Sequence, residues 1–121
     1  MQKRKILLVE DEITLRDTIE EILDFNDFDV KTASNGEIAL AVLKDWKPDL
    51  ILSDVMMPGI SGFDLIRMVQ GIEELKQIPF IFLSALVAKH EQKKGLDLGA
   101  RAFLTKPFKT ADLLKLIEKH L

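Results

Sequence analysis

Leu50-Ile51-Leu52-Ser53-Asp54-Val55-Met56-Met57-Pro58-Gly59 reads as a short strand that stops on a carboxylate and then turns. The run Leu50-Ile51-Leu52-Ser53 shows no polar alternation, which suits a strand covered on both faces. Pro48 closes the approach to it, and beyond it Met57-Pro58-Gly59-Ile60 supplies a turn, with Pro fixing φ and Gly free to take φ > 0. An Asp that ends such a strand directly before a Pro-Gly turn is unusual placement for a solvated loop carboxylate.

Outward from this stretch the same unit recurs. Ile6-Leu7-Leu8-Val9 is a first strand, followed by Glu10-Asp11-Glu12 and a helix with Leu15, Ile19, Ile22 and Leu23 at helical spacing, broken by Asn26-Asp27. Phe28 to Ala33 forms a second strand, less apolar, as expected near a sheet edge. Ser34-Asn35-Gly36-Glu37 caps a helix carrying Ile38, Ala41, Val42 and Leu43. Ser61 with Asp64 resembles a capping box for a helix bearing Phe63, Ile66 and Val69. Pro79 precedes a fourth strand, Phe80-Ile81-Phe82-Leu83, and a polar helix runs from about Lys89 to Gly99, a natural C′ residue. Ala102-Phe103-Leu104 is a short fifth strand, and Lys106-Pro107-Phe108 leads to a last helix capped by Thr110 and buried through Leu113, Leu114 and Ile117.

Repeated βα units imply a parallel sheet with right-handed crossovers and helices on both faces. Five units cannot close an eight-stranded barrel, so the expected fold is α/β, an open doubly wound five-stranded parallel sheet. Ligands of such sheets bind beyond the carboxyl ends of the strands, where the strand order reverses. With 121 residues and no linker or longer repeat, residues 1–121 are expected to form one domain.

Composition narrows the function. Seventeen basic residues against 20 acidic ones, a net charge of -3, give no basic field for nucleic acid, so direct binding to it is not expected. The absence of cysteine excludes a disulfide framework, a thiolate zinc site and thiol catalysis. The basic start Met1-Gln2-Lys3-Arg4-Lys5 is followed by an apolar run of only Ile6 to Val9, too short for a signal peptide or a membrane span. A cytoplasmic protein without membrane contact is the expectation.

Glu10 and Asp11 leave the end of the first strand, Asp54 the third, Ser84 the fourth and Lys106 the fifth. Three carboxylates in one crevice repel one another and raise at least one pKa unless a cation intervenes. Oxygen ligands without His or Cys favour a hard ion such as Mg²⁺. Lys106 adds an ammonium and Ser84 a hydroxyl, both suited to phosphoryl oxygens. Nucleophile, metal cradle and oxyanion partners are what phosphoryl transfer needs, since that chemistry is mostly positioning and charge neutralisation.

Leu7-Leu8-Val9-Glu10-Asp11-Glu12, Asp54 to Gly62, Ser84-Ala85 and Lys106-Pro107-Phe108 together resemble the response-regulator receiver family, over essentially the whole chain and in family order. The resemblance carries over the flavodoxin-like strand order 2-1-3-4-5 known from chemotaxis receivers. It implies that Asp54 accepts a phosphoryl group from a sensor histidine kinase or a histidine phosphotransfer domain. Asp11, Asp54 and the main-chain carbonyl of Met56 would bind Mg²⁺ directly, and Glu10 through water. Ser84 and Lys106 would bond the phosphoryl oxygens, Phe103 would turn inward as Ser84 moves, and the Lys106-Pro107 bond would be cis. A downstream effector would read the fourth helix, fifth strand and fifth helix, where Leu86, Lys94, Arg101, Phe103 and Lys115 lie; a homodimer formed on activation is compatible with this. The chain would be a switch and not a turnover enzyme.

Two departures stand out. Glu10 occupies a position where Asp is commoner, and Phe103 lacks the hydroxyl of the frequent Tyr, so no output relies on that hydroxyl. Each residue also has a plain reading. Glu10-Asp11-Glu12 suits the positive end of a helix, Phe103 reads equally well as core, and Lys89-His90-Glu91-Gln92-Lys93-Lys94 is a solvated, loosely held helix face. His90 and His120 read as solvent-facing. A haloacid-dehalogenase-like phosphatase would place a second Asp at position 56, which is Met, and a flavodoxin-type cofactor would meet repulsion from the acidic triplet.

Overall fold

The computed structural model describes residues 2–85 and 88–121. Its elements alternate as β1 (Lys5–Val9), α1 (Ile13–Phe25), β2 (Asp29–Ala33), α2 (Gly36–Asp45), β3 (Leu50–Asp54), α3 (Gly62–Gln70), β4 (Phe80–Ser84), α4 (Lys89–Asp97), β5 (Ala102–Thr105) and α5 (Thr110–His120). All pairings are parallel, and the sheet runs β2-β1-β3-β4-β5, as the resemblance implied. The order reverses between β1 and β3, which opens a crevice at their carboxyl ends.

The two-residue period of the strands sorts the core into two layers. Ile6, Leu8, Leu50, Leu52, Ile81 and Leu83 face Ile19 and Leu23 of α1 and Leu113 and Ile117 of α5. Leu7, Val9, Ile51, Phe80 and Phe82 face the other way, against Ala39 and Leu43 of α2 and Phe63, Leu65, Ile66 and Val69 of α3. Leu50, Ile51 and Leu52 are all 0% exposed, the burial that an unbroken apolar run requires. Each contributes about 1.5–3 kcal/mol through apolar burial. The edge strand β2 alternates exposed and partly buried positions until Ala33, so its polar content matches its place.

Helix ends largely follow the expected chemistry. Asn35 Oδ1 accepts from the Ile38 amide at 2.8 Å, and Ser61 Oγ from the Asp64 amide at 3.1 Å. Asp27 takes φ 67° where α1 ends, and Gly99 takes φ 113° beyond α4. Three expectations need correction. Thr110 is the first helical residue of α5 and not its cap; Lys109 holds the cap position and makes no side-chain cap bond. Leu114 is only partly buried, because Leu113 and Ile117 point at the sheet. In α2 the buried stripe is Gly36, Ala39 and Leu43, while Ile38 is 43% exposed and Ala41 is exposed, so the helix is rotated relative to its most apolar positions. Among the described residues, no helix is long and apolar enough to cross a membrane.

Candidate functional site

Parallel register brings the strand ends level. Val9 pairs with Ser53, Asp54 with Leu83, and Ser84 with Thr105, so the residues that follow β1 and β5 flank Asp54 along one edge. Two main-chain bonds extend this alignment past the strands, from Glu10 N to Ala33 O at 3.0 Å and from Lys106 N to Ser84 O at 2.8 Å. The Lys106-Pro107 bond is cis.

Glu10, Asp11 and Asp54 each offer a carboxylate oxygen within 4.8 Å of the others. Glu10 is 0% and Asp54 7% exposed, while Asp11 opens to solvent. Lys106 Nζ donates at 2.8 Å to both Glu10 Oε1 and Asp54 Oδ2. The second oxygens are also held, Glu10 Oε2 by the Glu12 amide at 3.1 Å and Asp54 Oδ1 by the Met56 amide at 3.3 Å. Burial pushes the Glu10 carboxyl above its ordinary range, and the Asp54 charge adds to that, against the opposing Lys106 and Glu12 bonds. Burial works to lower the Lys106 pKa, but its hydrogen bonds to Asp54 and Glu10, with their charges, raise it on balance.

Three carboxylates facing one ammonium leave a negative surplus that a divalent cation would neutralise. The donor set is oxygen alone, which fits Mg²⁺ and not a softer metal.

The acidic triplet divides its labour. Glu10 and Asp11 belong to the crevice, whereas Glu12 is the N-cap of α1, its carboxylate accepting from the amides of Thr14 at 3.2 Å and Leu15 at 2.6 Å. Ser84 is buried at the end of β4. Phe103 is partly buried, its ring centroid 5.2 Å from that of Phe82. Met56 is 68% exposed beside Asp54, and Leu86 lies outside the described residues.

Two contributors escaped the sequence reading. Arg16 Nη1 donates to the Glu10 carbonyl at 3.0 Å, pinning the turn that carries the carboxylates. A lone Arg on the first turns of a helix gives no sequence signal of that. Gly62 lies against the Asp54 carbonyl, where any Cβ would collide, and its amide donates to Val55 O at 2.8 Å. This close approach seats α3 beneath the Asp54 loop. A glycine directly after a helix cap was the available clue.

Comparison with known proteins agrees with this geometry. A family model described as the response regulator receiver domain matches residues 6–118. A probable transcriptional regulator, ycf29 of Pyropia yezoensis, is 39% identical over 113 residues, covering 93% of this chain and 51% of that protein. The chain spans about half the length of the curated transcriptional regulators it matches. Chemotaxis protein CheY4 of Vibrio cholerae superposes with a TM-score of 0.94 at 32% identity, covering 98% of this chain and 99% of that one. The receiver domain of sensor histidine kinase PA1611 from Pseudomonas aeruginosa, described with a magnesium ion coordinated in its active site cleft, superposes with a TM-score of 0.90 at 28% identity, covering 98% and 97%. Since the family model leaves out only the first five and last three residues, this chain belongs to the response regulator receiver domains.

Proposed function

We propose that this chain accepts a phosphoryl group from a phosphohistidine onto Asp54 and passes the signal on by changing its surface. The observation that carries the reading is Lys106 bridging Glu10 and Asp54 at 2.8 Å beside the open Asp11 carboxylate. An Asp54 oxygen attacks phosphorus, the P–N bond to the donor imidazole breaks, and the electron pair stays on that ring nitrogen. Lys106 exchanges its bond to Asp54 Oδ2 for one to a phosphoryl oxygen, and the Ser84 hydroxyl donates to another. Asp11, Asp54 and the Met56 carbonyl would hold Mg²⁺, with Glu10 acting through water; the ion supplies charge neutralisation at the transferring oxygens.

A protein donor is supported by an apolar groove of about 460 Å³ beside the crevice, lined by Leu15, Ile19, Ile22, Lys106, Phe108 and Thr110 among others. The output surface is proposed to be α4, β5 and α5, where Lys94, Arg101 and Lys115 are exposed; a homodimer formed on activation would use the same elements. We take residues 1–121 as one such unit, working as a switch and not as a turnover enzyme, in the cytoplasm, without binding nucleic acid directly.

The test is incubation with Mg²⁺ and acetyl phosphate, read by intact mass. One acid- and base-labile phosphoryl group per chain is expected on the unaltered protein and none on Asp54→Asn. Equal labelling of the Asn variant, or sustained turnover of phosphomonoesters, would overturn the reading.

A further inference from the structure

Of the described residues of α4, Gly95 alone is buried. A glycine within a helix is disfavoured against alanine by backbone entropy, so its presence there asks for a steric reason. The structure supplies one. A Cβ at position 95 would stand 2.5 Å from Phe103 Cε2 and 3.2 Å from Phe82 Cδ2. The Phe103 ring, tilted 40° on Phe82, fills the space that a side chain at 95 would need. Lys93 pairs with Asp97 on the helix itself, and Lys94 reaches over the Phe63 ring at 4.9 Å.

We propose that Gly95 is a positioning residue that makes the docking of α4 conditional on the place of the Phe103 ring. With the Phe103 ring stacked beside Phe82 and against the glycine, the backbone of α4 rests on the two rings together. When the ring leaves, nothing on residue 95 fills the gap, and the buried glycine of α4 keeps only its approach to Phe82. Helix and aromatic are thereby one mechanical unit, with the glycine as its joint. This rests on the reading of Phe103 as the aromatic that moves, but the unit itself exists without phosphorylation.

The test compares amide hydrogen exchange over residues 89–97 in the unphosphorylated wild type, Gly95→Ala, Phe103→Ala and the double variant. In the Phe103 background the new methyl collides with the ring, and exchange should rise about tenfold or more. In the Phe103→Ala background the 2.5 Å collision is gone and only the 3.2 Å approach to Phe82 remains, a few tenths of an ångström that the ring can yield into the vacated space, so helix propensity prevails and Gly95→Ala should slow exchange, by about fivefold. Phe103→Leu, which also vacates the Cε2 position, should give the same inversion if Phe103→Ala fails to fold. An effect of the same sign in both backgrounds, or no effect beside Phe103, overturns the proposal. Intact mass after acetyl phosphate reports Asp54 separately, so an inversion in a chain that fails to label would count against the phosphoacceptor reading alone.

Discussion

Lys106 stands between two buried carboxylates, 2.8 Å from Glu10 Oε1 and 2.8 Å from Asp54 Oδ2, and so holds β1, β3 and β5 together at their carboxyl ends. Removing the ammonium leaves the two acids facing each other with their desolvation uncompensated. Lys106 is 20% exposed, so Lys106→Met should cost about 2 kcal/mol, somewhat less than the roughly 3–5 kcal/mol typical of a fully buried pair losing one partner. Urea unfolding in EDTA checks this, and millimolar Mg²⁺ should restore part of the loss. Equal midpoints for variant and wild type in EDTA would show that the bridge contributes nothing to stability.

The raised Glu10 pKa makes the stability of the fold depend on pH. A carboxyl whose folded pKa lies above its unfolded value binds more protons folded than unfolded, so stability falls as pH rises through that interval. Without divalent ions, wild type should therefore lose stability relative to Glu10→Gln as pH rises from about 4.5, levelling off above the folded pKa. Mg²⁺ favours the ionised form and should flatten the slope. Midpoints of urea unfolding against pH measure it; a difference between the two proteins that stays constant from acid to neutral pH excludes the effect.

The sequence made the sheet legible because Leu50-Ile51-Leu52 and Phe80-Ile81-Phe82-Leu83 are apolar without interruption, short, and each closely preceded by a proline, a pattern that suits strands covered on both faces. The strand order came from family likeness, since periodicity says which segments pair with helices but not which strand lies beside which. Glu10, Asp11, Asp54, Ser84 and Lys106 were readable because each interrupts or follows an apolar run at the same end of a parallel sheet. What stayed hidden was geometry without a residue-type signal: the rotation of α2 that exposes Ile38, the uncapped start of α5, and the reach of Arg16 to the Glu10 carbonyl. In each case several arrangements satisfy the same local pattern, and tertiary packing chooses.

Neighbouring acids in the triplet should separate cleanly by mutation. Glu12 caps α1 through two amides, so Glu12→Ala should cost about 1 kcal/mol in stability while leaving Mg²⁺ affinity within about twofold. Asp11 belongs to the carboxylate cluster and, among the described residues, makes no side-chain hydrogen bond to α1, so Asp11→Ala should weaken Mg²⁺ binding by tenfold or more with little loss of stability in EDTA. Calorimetric Mg²⁺ titration beside urea unfolding distinguishes the two. Reversed roles would mean that the capping and metal assignments within Glu10-Asp11-Glu12 are wrong.

Phe25 ends α1 with 88% of its surface exposed, and with Ile22, Glu21 and Thr110 it lines a second hollow at the α1–α5 side, next to the groove that reaches Lys106. Ile22 and Thr110 line both, so one apolar track runs from Lys106 at the carboxylate edge to Phe25. A small acyl phosphate needs only the crevice, whereas a protein donor must rest its own surface on something. Phe25→Ser removes an exposed ring without touching the core, so folding and labelling by acetyl phosphate should be unchanged. Transfer from any phosphohistidine protein that labels the wild type should slow by about tenfold, the scale of losing one aromatic anchor from an interface. The ratio of the two rates decides the matter: if protein and small-molecule donors respond alike, the track is not where the donor sits.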